Sequence, residues 1–199
     1  MLDINNTTTY PRARRVLEKY KNYVIQQSRS NLTKGRMVNG KKASYKASGS
    51  LYKSLKGYVN SKMNRSLKGR FTGGSEMPSL TFEMNQYGKF VDEGVKGSKS
   101  NYIENINSKN KFRGGKKSVP VKPIEEWCRR KGISEKLAFI IAKSIYEKGI
   151  KASHFFTKPL EKREKGVMFA YHKAIADDIA NNFANQIANK LRKAQKIKK

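Results

Sequence analysis

The chain reads as an α+β protein: a small antiparallel sheet packed by an N-terminal helix, with an inserted helical hairpin and a long C-terminal helix. Three observations predict this. Apolar residues recur at helical spacing near both ends of the chain. Around residue 80 they alternate with polar ones, the period of a half-buried strand. Between residues 120 and 149, two helical stretches are punctuated by proline and glycine. A sheet of two to four strands with a helix on one face is the economical way to bury such surfaces.

Residues 11–33 form the first expected helix. Pro11 suits a first turn, Thr9 can cap it, and Ala13, Val16, Leu17, Tyr20 and Val24 share one face. Lys34-Gly35 ends it, and 35–50, rich in glycine, serine and lysine, reads as an irregular loop. The stretch Gly49–Leu55 leads into a strand-like Lys56–Met63. A basic turn over 64–74 follows, and then a strand in which Leu80, Phe82 and Met84 alternate with Thr81 and Glu83. Tyr87, Phe90, Val91 and Gly94 make a single apolar-faced turn stopped by glycine. Residues 95–119 read as a second basic loop. In the hairpin, Pro123 opens a helix burying Ile124, Trp127 and Cys128 and stopping at Gly132; Ser134 caps a second with Leu137, Ile141 and Ile145 inward and Gly149 after its end. The final helix is expected at 166–195. Domain boundaries follow as 1–165, with the hairpin at 120–149, and 166–199, a helical extension with a basic tail.

That last helix carries Tyr171, Ile175, Ile179, Phe183, Ile187 and Leu191 every fourth residue, beside a parallel row of Ala176, Ala180, Ala184 and Ala188. Four residues turn an α-helix by about 40° beyond a full turn, so the ridge winds round the helix. One neighbour cannot cover it all. The front end is expected to meet its own domain, and Phe183, Ile187 and Leu191 to meet another subunit.

Charge is the second constraint. There are 44 Lys+Arg against 15 Asp+Glu, a formal +29, and 14 basic residues but no acid between Glu18 and Glu76. Such self-repulsion points to a polyanionic or acidic partner. Lysine outnumbers arginine, favouring diffuse attraction over base reading. The expected contacts are Lys34, Arg36, Lys41, Lys42, Lys46, Lys109, Lys111, Arg113, Lys116 and Lys117, with Tyr45, Tyr52, Tyr58, Tyr102 and Phe112 interleaved for stacking. The 37% apolar content is low for a compact globule, so part of the chain is expected to be extended or covered by partners.

Enzymatic chemistry finds few materials. His154 and His172 have no acid at triad or metal-ligand spacing, and Asp92-Glu93 and Asp177-Asp178 are neighbours that diverge on a helix. A structural or interface role suits those carboxylates better. Gly114-Gly-Lys-Lys-Ser lacks the strand and leading glycine of a phosphate loop. The hairpin resembles a helix-turn-helix, but its second helix offers Leu, Ala, Phe and Ile where base edges need donors. Lone Cys128 permits no internal disulfide and no cysteine cluster. No catalytic residue, cofactor or metal is expected. Neither a leader pattern nor a membrane-spanning run is evident.

Three phrases carry a family resemblance: Ser-Gly-x-Leu-x-x-Ser-Leu from Ser48 to Leu55, Tyr-Gly-x-Phe-Val-Asp-x-Gly from Tyr87 to Gly94, and Phe-Phe-x-x-Pro-Leu from Phe155 to Leu160. Their order resembles the tail-completion, or head–tail joining neck, proteins of tailed bacteriophages. The common form there is Ser/Thr-Gly-x-Leu-x-x-Ser, then Tyr-Ala-x-Tyr-Val-Glu-x-Gly-Thr, then Pro-Phe-Leu-x-Pro-Ala. The resemblance covers about residues 10–165. It departs at Val95 in place of threonine, at Asp92 in place of glutamate, at His154 where proline often stands, in the inserted hairpin and in the long last helix. It implies a small α+β virion subunit without catalytic residues, assembled in the host cytoplasm into a homo-oligomeric ring at the head–tail junction. Portal, neck or tail proteins would be its neighbours, with packaged DNA as a further partner. A soluble, sequence-blind nucleic-acid-binding protein is the alternative. A nuclease has no carboxylate–lysine constellation to support it.

Overall fold

The computed structural model describes residues 10–34, 36–38, 41–43, 49–60, 77–99, 102–105, 107–112 and 119–197. Thr9, Tyr45, Lys46, the basic turn at 64–74, Arg113, Lys116 and Lys117 lie outside them. The protein is α+β. The chain divides into two compact units, one of Met1–Ile25, Gly57–Phe82 and Leu160–Lys199, the other of Gln26–Lys56 and Glu83–Pro159. The boundary expected at 165/166 falls inside a helix, α6 (Thr157–Ile197), which begins nine residues before its expected start.

The first unit is built on α1 (Pro11–Lys34). Ala13, Leu17, Tyr20 and Val24 are buried at the spacing the sequence predicts. Ala13 joins Ala174 and Ile175 in a core cluster edged by Tyr10, Val16 and Tyr171. Strands β3 (Lys56–Asn60) and β4 (Ser79–Glu83) pair, and Leu80 and Phe82 are half-buried on the alternation expected. A Cβ on Gly57 would lie 2.7 Å from Lys21 Cγ, 3.1 Å from Ile25 Cδ1 and 3.2 Å from Phe82 Cδ1, so α1 rests directly on this pair. The Tyr20 hydroxyl donates to Leu160 O at 2.6 Å and Tyr171 donates to Pro78 O. Burial pushes both phenols above the usual tyrosine range, Glu164 and Tyr23 adding to the effect at Tyr20, Tyr10 at Tyr171.

The start of α1 is capped from far along the chain. Asp178, 3% exposed, accepts the backbone N–H of Arg12 at 3.0 Å and of Ala13 at 3.1 Å. First-turn amides have no intrahelical acceptor, and a carboxylate there also meets the positive end of the helix dipole. Adjacent Asp177 is half-buried, so the two neighbours do diverge.

In the second unit the last turns of α1 bury Ser28 and Leu32. Leu32, Leu51 of α2 (Ser50–Ser54) and Phe155 form a core edged by Tyr52, Met84, Val91 and Phe156. Residues 35–50 are not wholly irregular. They contain an antiparallel pair, β1 (Arg36–Val38) and β2 (Lys41–Ala43), in the register Val38↔Lys41. Asn39-Gly40, the dipeptide favoured in two-residue hairpins, was the sequence signal for it. Strand content is thus spread over three two-stranded pairs, the third being β5 (Val95–Lys96) with β6 (Gly149–Ile150).

The helical hairpin is α4 (Lys122–Lys131) and α5 (Ala138–Lys148). Ile124, Cys128, Ala138 and Ala142 form its core, with Trp127, Ile141 and Ile145 packed around them. Gly132 stops α4 at φ 67°, as its position implies, and Ile133 N donates to Cys128 O at 2.9 Å. Ser134 does not cap with its side chain. A 3-10 turn, Glu135–Leu137, intervenes and shifts the helical phase, so Leu137 is exposed rather than inward. Arg129 clasps Glu135 across the turn, Nε to Oε1 at 2.8 Å, and holds that carboxyl below its usual range.

Replacing Asp178 by Ala is expected to destabilise the protein by about 1–2 kcal/mol, since two first-turn amides lose their acceptor. Asp178→Asn, which keeps one acceptor oxygen, should lose less. Urea unfolding midpoints of the two variants check the order.

Candidate assembly site

The three phrases singled out in the sequence meet in the second unit. Leu51 of the first and Phe155 of the third share the core just described, and the second lies against both. It forms α3 (Tyr87–Glu93). A Cβ on Gly88 would stand 2.8 Å from Leu51 Cδ1 and 2.7 Å from Met84 Sδ, so the side chains of α2 and of Met84 come down directly on this glycine. Ser54 Oγ donates to Leu51 O and accepts Asn85 N at 3.1 Å, while Asn85 Nδ2 donates to Ser50 Oγ.

The buried face of α3 is not the one its apolar spacing implies. Gly88 and Asp92 are buried and Val91 half-buried, while Tyr87 and Phe90 face outward. The rotation is set by Asp92, 3% exposed. Its Oδ1 accepts Phe156 N at 2.8 Å, and Oδ2 accepts Thr157 N at 3.3 Å and the Thr157 hydroxyl. The acid of the second phrase therefore caps the helix that the third phrase begins. Pro159 sits in that helix's first turn, where a missing N–H costs nothing.

Backbone bonds complete the junction. Val91 O accepts Ser153 N at 3.0 Å and Ser153 Oγ at 2.7 Å, and Asp92 O accepts His154 N at 3.0 Å. Gly94, at φ 74°, turns the chain into β5, which pairs antiparallel with β6 in the register Val95↔Ile150. A Cβ on Gly94 would lie 2.6 Å from Ile150 O and 2.7 Å from Ala152 N. His154 adopts φ 49°, which proline, fixed near −65°, cannot reach. The histidine at this position is thus a conformational choice; His172 is exposed on α6.

Asn105 locks the arrangement and was not among the residues singled out in the sequence. Fully buried, it donates from Nδ2 to Val95 O at 3.1 Å and Ile150 O at 2.8 Å, and accepts Ala152 N on Oδ1 at 2.8 Å. Ser108 Oγ donates to Gly94 O at 3.0 Å, and Asn110 Nδ2 bonds both Glu93 and Gly94 O. The stretch read as a basic loop is therefore tied down in its described parts. Lys96 N bonds Asn110 O, Ser98 N and Lys99 N bond Tyr146 O and Glu147 O, and Phe112 stands 5.7 Å from Tyr146. The run Asn-Ile-Asn-Ser-Lys-Asn from Asn105 to Asn110 was the available signal, since such side chains bond nearby backbone.

Of the expected polyanion contacts, Lys34 is exposed at the end of α1, Lys109 and Lys111 are exposed beside the Asn105 knot, and Arg36, Lys41 and Lys42 lie on the β1–β2 pair. They do not all gather on one element. Among the proposed stacking residues, Tyr52 has the Arg29 guanidinium 5.1 Å over its ring and Tyr58 is exposed. Phe183, Ile187 and Leu191 of α6 are exposed, as are Phe139 and Ile140 of α5.

Chemically, this junction binds backbone to backbone. Its buried acid and amide have their hydrogen-bonding capacity committed to N–H and C=O groups. No group of three or more His, Cys, Asp or Glu suited to a metal occurs among the described residues, and no helix there is long and apolar enough to cross a membrane. No protein-family model, curated protein or solved structure matches the chain.

Asn105→Ala should destabilise the protein by about 3 kcal/mol or more, because three buried backbone groups lose partners worth roughly 1–3 kcal/mol each. Asn105→Asp keeps the acceptor for Ala152 but loses both donors and should fall well short of wild type. Hydrogen exchange at Ala152 N–H checks the mechanism: it should quicken in the alanine variant.

Proposed function

We propose that the chain is a non-catalytic structural subunit of a tailed-phage particle, assembling with copies of itself into a ring at the head–tail junction. The observation that carries the reading is the convergence of the Ser48–Leu55, Tyr87–Gly94 and Phe155–Leu160 phrases on one core and one capping carboxylate. Residues that are far apart in sequence serve a common packing purpose there, as an assembly module needs. Exposed apolar residues, Tyr87 and Phe90 on α3, Phe139 and Ile140 on α5, and Phe183, Ile187 and Leu191 on α6, give such a subunit surfaces to cover. Portal, neck or tail proteins are the neighbours this reading implies, and the virion its location.

The experiment is quantitative mass spectrometry and antibody labelling of purified particles. The chain should be present in a small fixed copy number, with label at the junction of head and tail. Ile187→Asp combined with Leu191→Asp should leave the chain folded by circular dichroism, both sites being exposed, yet remove it from particles. Absence of wild-type chain from particles would overturn the reading.

The acid-free run from Lys19 to Ser75 supports a second reading, sequence-blind binding to nucleic acid. Affinity should then fall steeply with salt, each phosphate contact contributing about −0.9 to the slope of log affinity against log salt. Changing Lys41, Lys42, Lys116 and Lys117 to Ser should flatten that slope equally for all duplex sequences in a fluorescence-anisotropy titration. Positive charge that meets acidic protein neighbours instead would show no duplex binding even at low salt.

A further inference from the structure

The outer part of α6 is built to match itself. Residues four apart form rows along a helix, inclined about 26° to its axis. One row holds Ile179, Phe183, Ile187 and Leu191, all at least 43% exposed. The next holds Ala180, Ala184 and Ala188, also exposed, and the one beyond holds Asn181, Asn185 and Asn189. The alanine row is thus a trough between an apolar wall and an amide wall. An antiparallel helix turned about the midpoint of Phe183 and Ala184 sets Phe183 against Ala184, Ile179 against Ala188 and Ile187 against Ala180. Each large side chain meets a small one.

Charge selects the same partner in the same orientation. From Ile179 to Asn189 no residue is charged, in a chain where 30% are. An acidic partner or a phosphate backbone finds nothing to pair with there, whereas a second +29 chain can approach without like charges meeting. The nearest flanking charges are Asp177–Asp178 before the segment and Lys190 after it. About the Phe183–Ala184 midpoint, Asp177 of one copy falls opposite Lys190 of the other, and the reverse. A membrane surface fits poorly, since the ridge winds round the helix and cannot lie flat.

From these observations we propose that the free chain is a two-fold dimer, held by antiparallel crossing of α6 about Phe183 and Ala184. Interdigitating rows of this kind incline the axes by about 50°, with about three turns in contact, the length of the uncharged segment. The inference rests on reading the chain as an assembling subunit and goes beyond it. A two-fold contact closes after two copies, so a ring grows through other surfaces.

The test uses the full chain. Sedimentation at micromolar concentration should give a dimer, and Phe183→Asp or Ala184→Lys a folded monomer. Ala184→Cys should cross-link to itself under mild oxidation, while Asn182→Cys, about 150° round the helix from the Phe183–Ala184 midpoint, should not; native Cys128 is buried. Asp177→Lys should weaken dimerisation several-fold, and adding Lys190→Asp should restore it. A monomeric wild type overturns the proposal, as does a dimer that ignores the charge exchange or cross-links equally through position 182. Particles that carry the chain at the head–tail junction while the free chain is monomeric would overturn the dimer and leave the ring reading standing.

Discussion

The carboxylate of Asp92 stands where a helix of 41 residues begins, and much of the second unit is arranged to put it there. A helix start leaves amides with no acceptor, and a buried start cannot borrow water. A charged acceptor is stronger than a neutral one, but burying it is costly unless its oxygens are well bonded. Asp92 satisfies both demands at once by taking Phe156 N, Thr157 N and the Thr157 hydroxyl. Its position then dictates the rotation of α3, the turn at Gly94 and the pairing of β5 with β6. Asn105 closes the remaining backbone groups. The first unit uses the same device independently, Asp178 holding the start of α1.

This use of acids bears on the charge. Fifteen acidic residues must serve a chain with 44 basic ones. Asp92 and Asp178 are consumed as caps, Glu93 bonds Asn110, and Glu18, Glu135 and Glu147 pair with Lys21, Arg129 and Lys99. Those exposed pairs contribute little to stability. Only Asp92 and Asp178 among the described acids are buried, and lysine dominates the outside because bases outnumber acids almost three to one.

Periodic elements were legible in the sequence. The buried face of α1, the alternation of β4, and the glycine stops at Gly94, Gly132 and Gly149 follow from spacing and backbone freedom, and the structure carries all of them. What escaped depends on distance or on very short elements. Three-residue strands such as β1 and β2 show no alternation. The 3-10 turn before α5 rotates Leu137 outward, a phase change that a count of four-residue steps cannot reveal. The early start of α6 was missed because a first-turn proline such as Pro159 begins a helix as readily as it ends one. Asn105 was hidden because its partners, Ile150 and Ala152, lie more than forty residues away.

The cap on α1 also has a consequence for biosynthesis. Its acceptor, Asp178, is 166 residues beyond Arg12. At about 5–20 residues per second, a ribosome needs roughly 10–30 s between making the helix start and making the group that completes it. The start of α1 is therefore completed only after residue 178 has been made, and a nascent chain that stops short of it carries an open helix end.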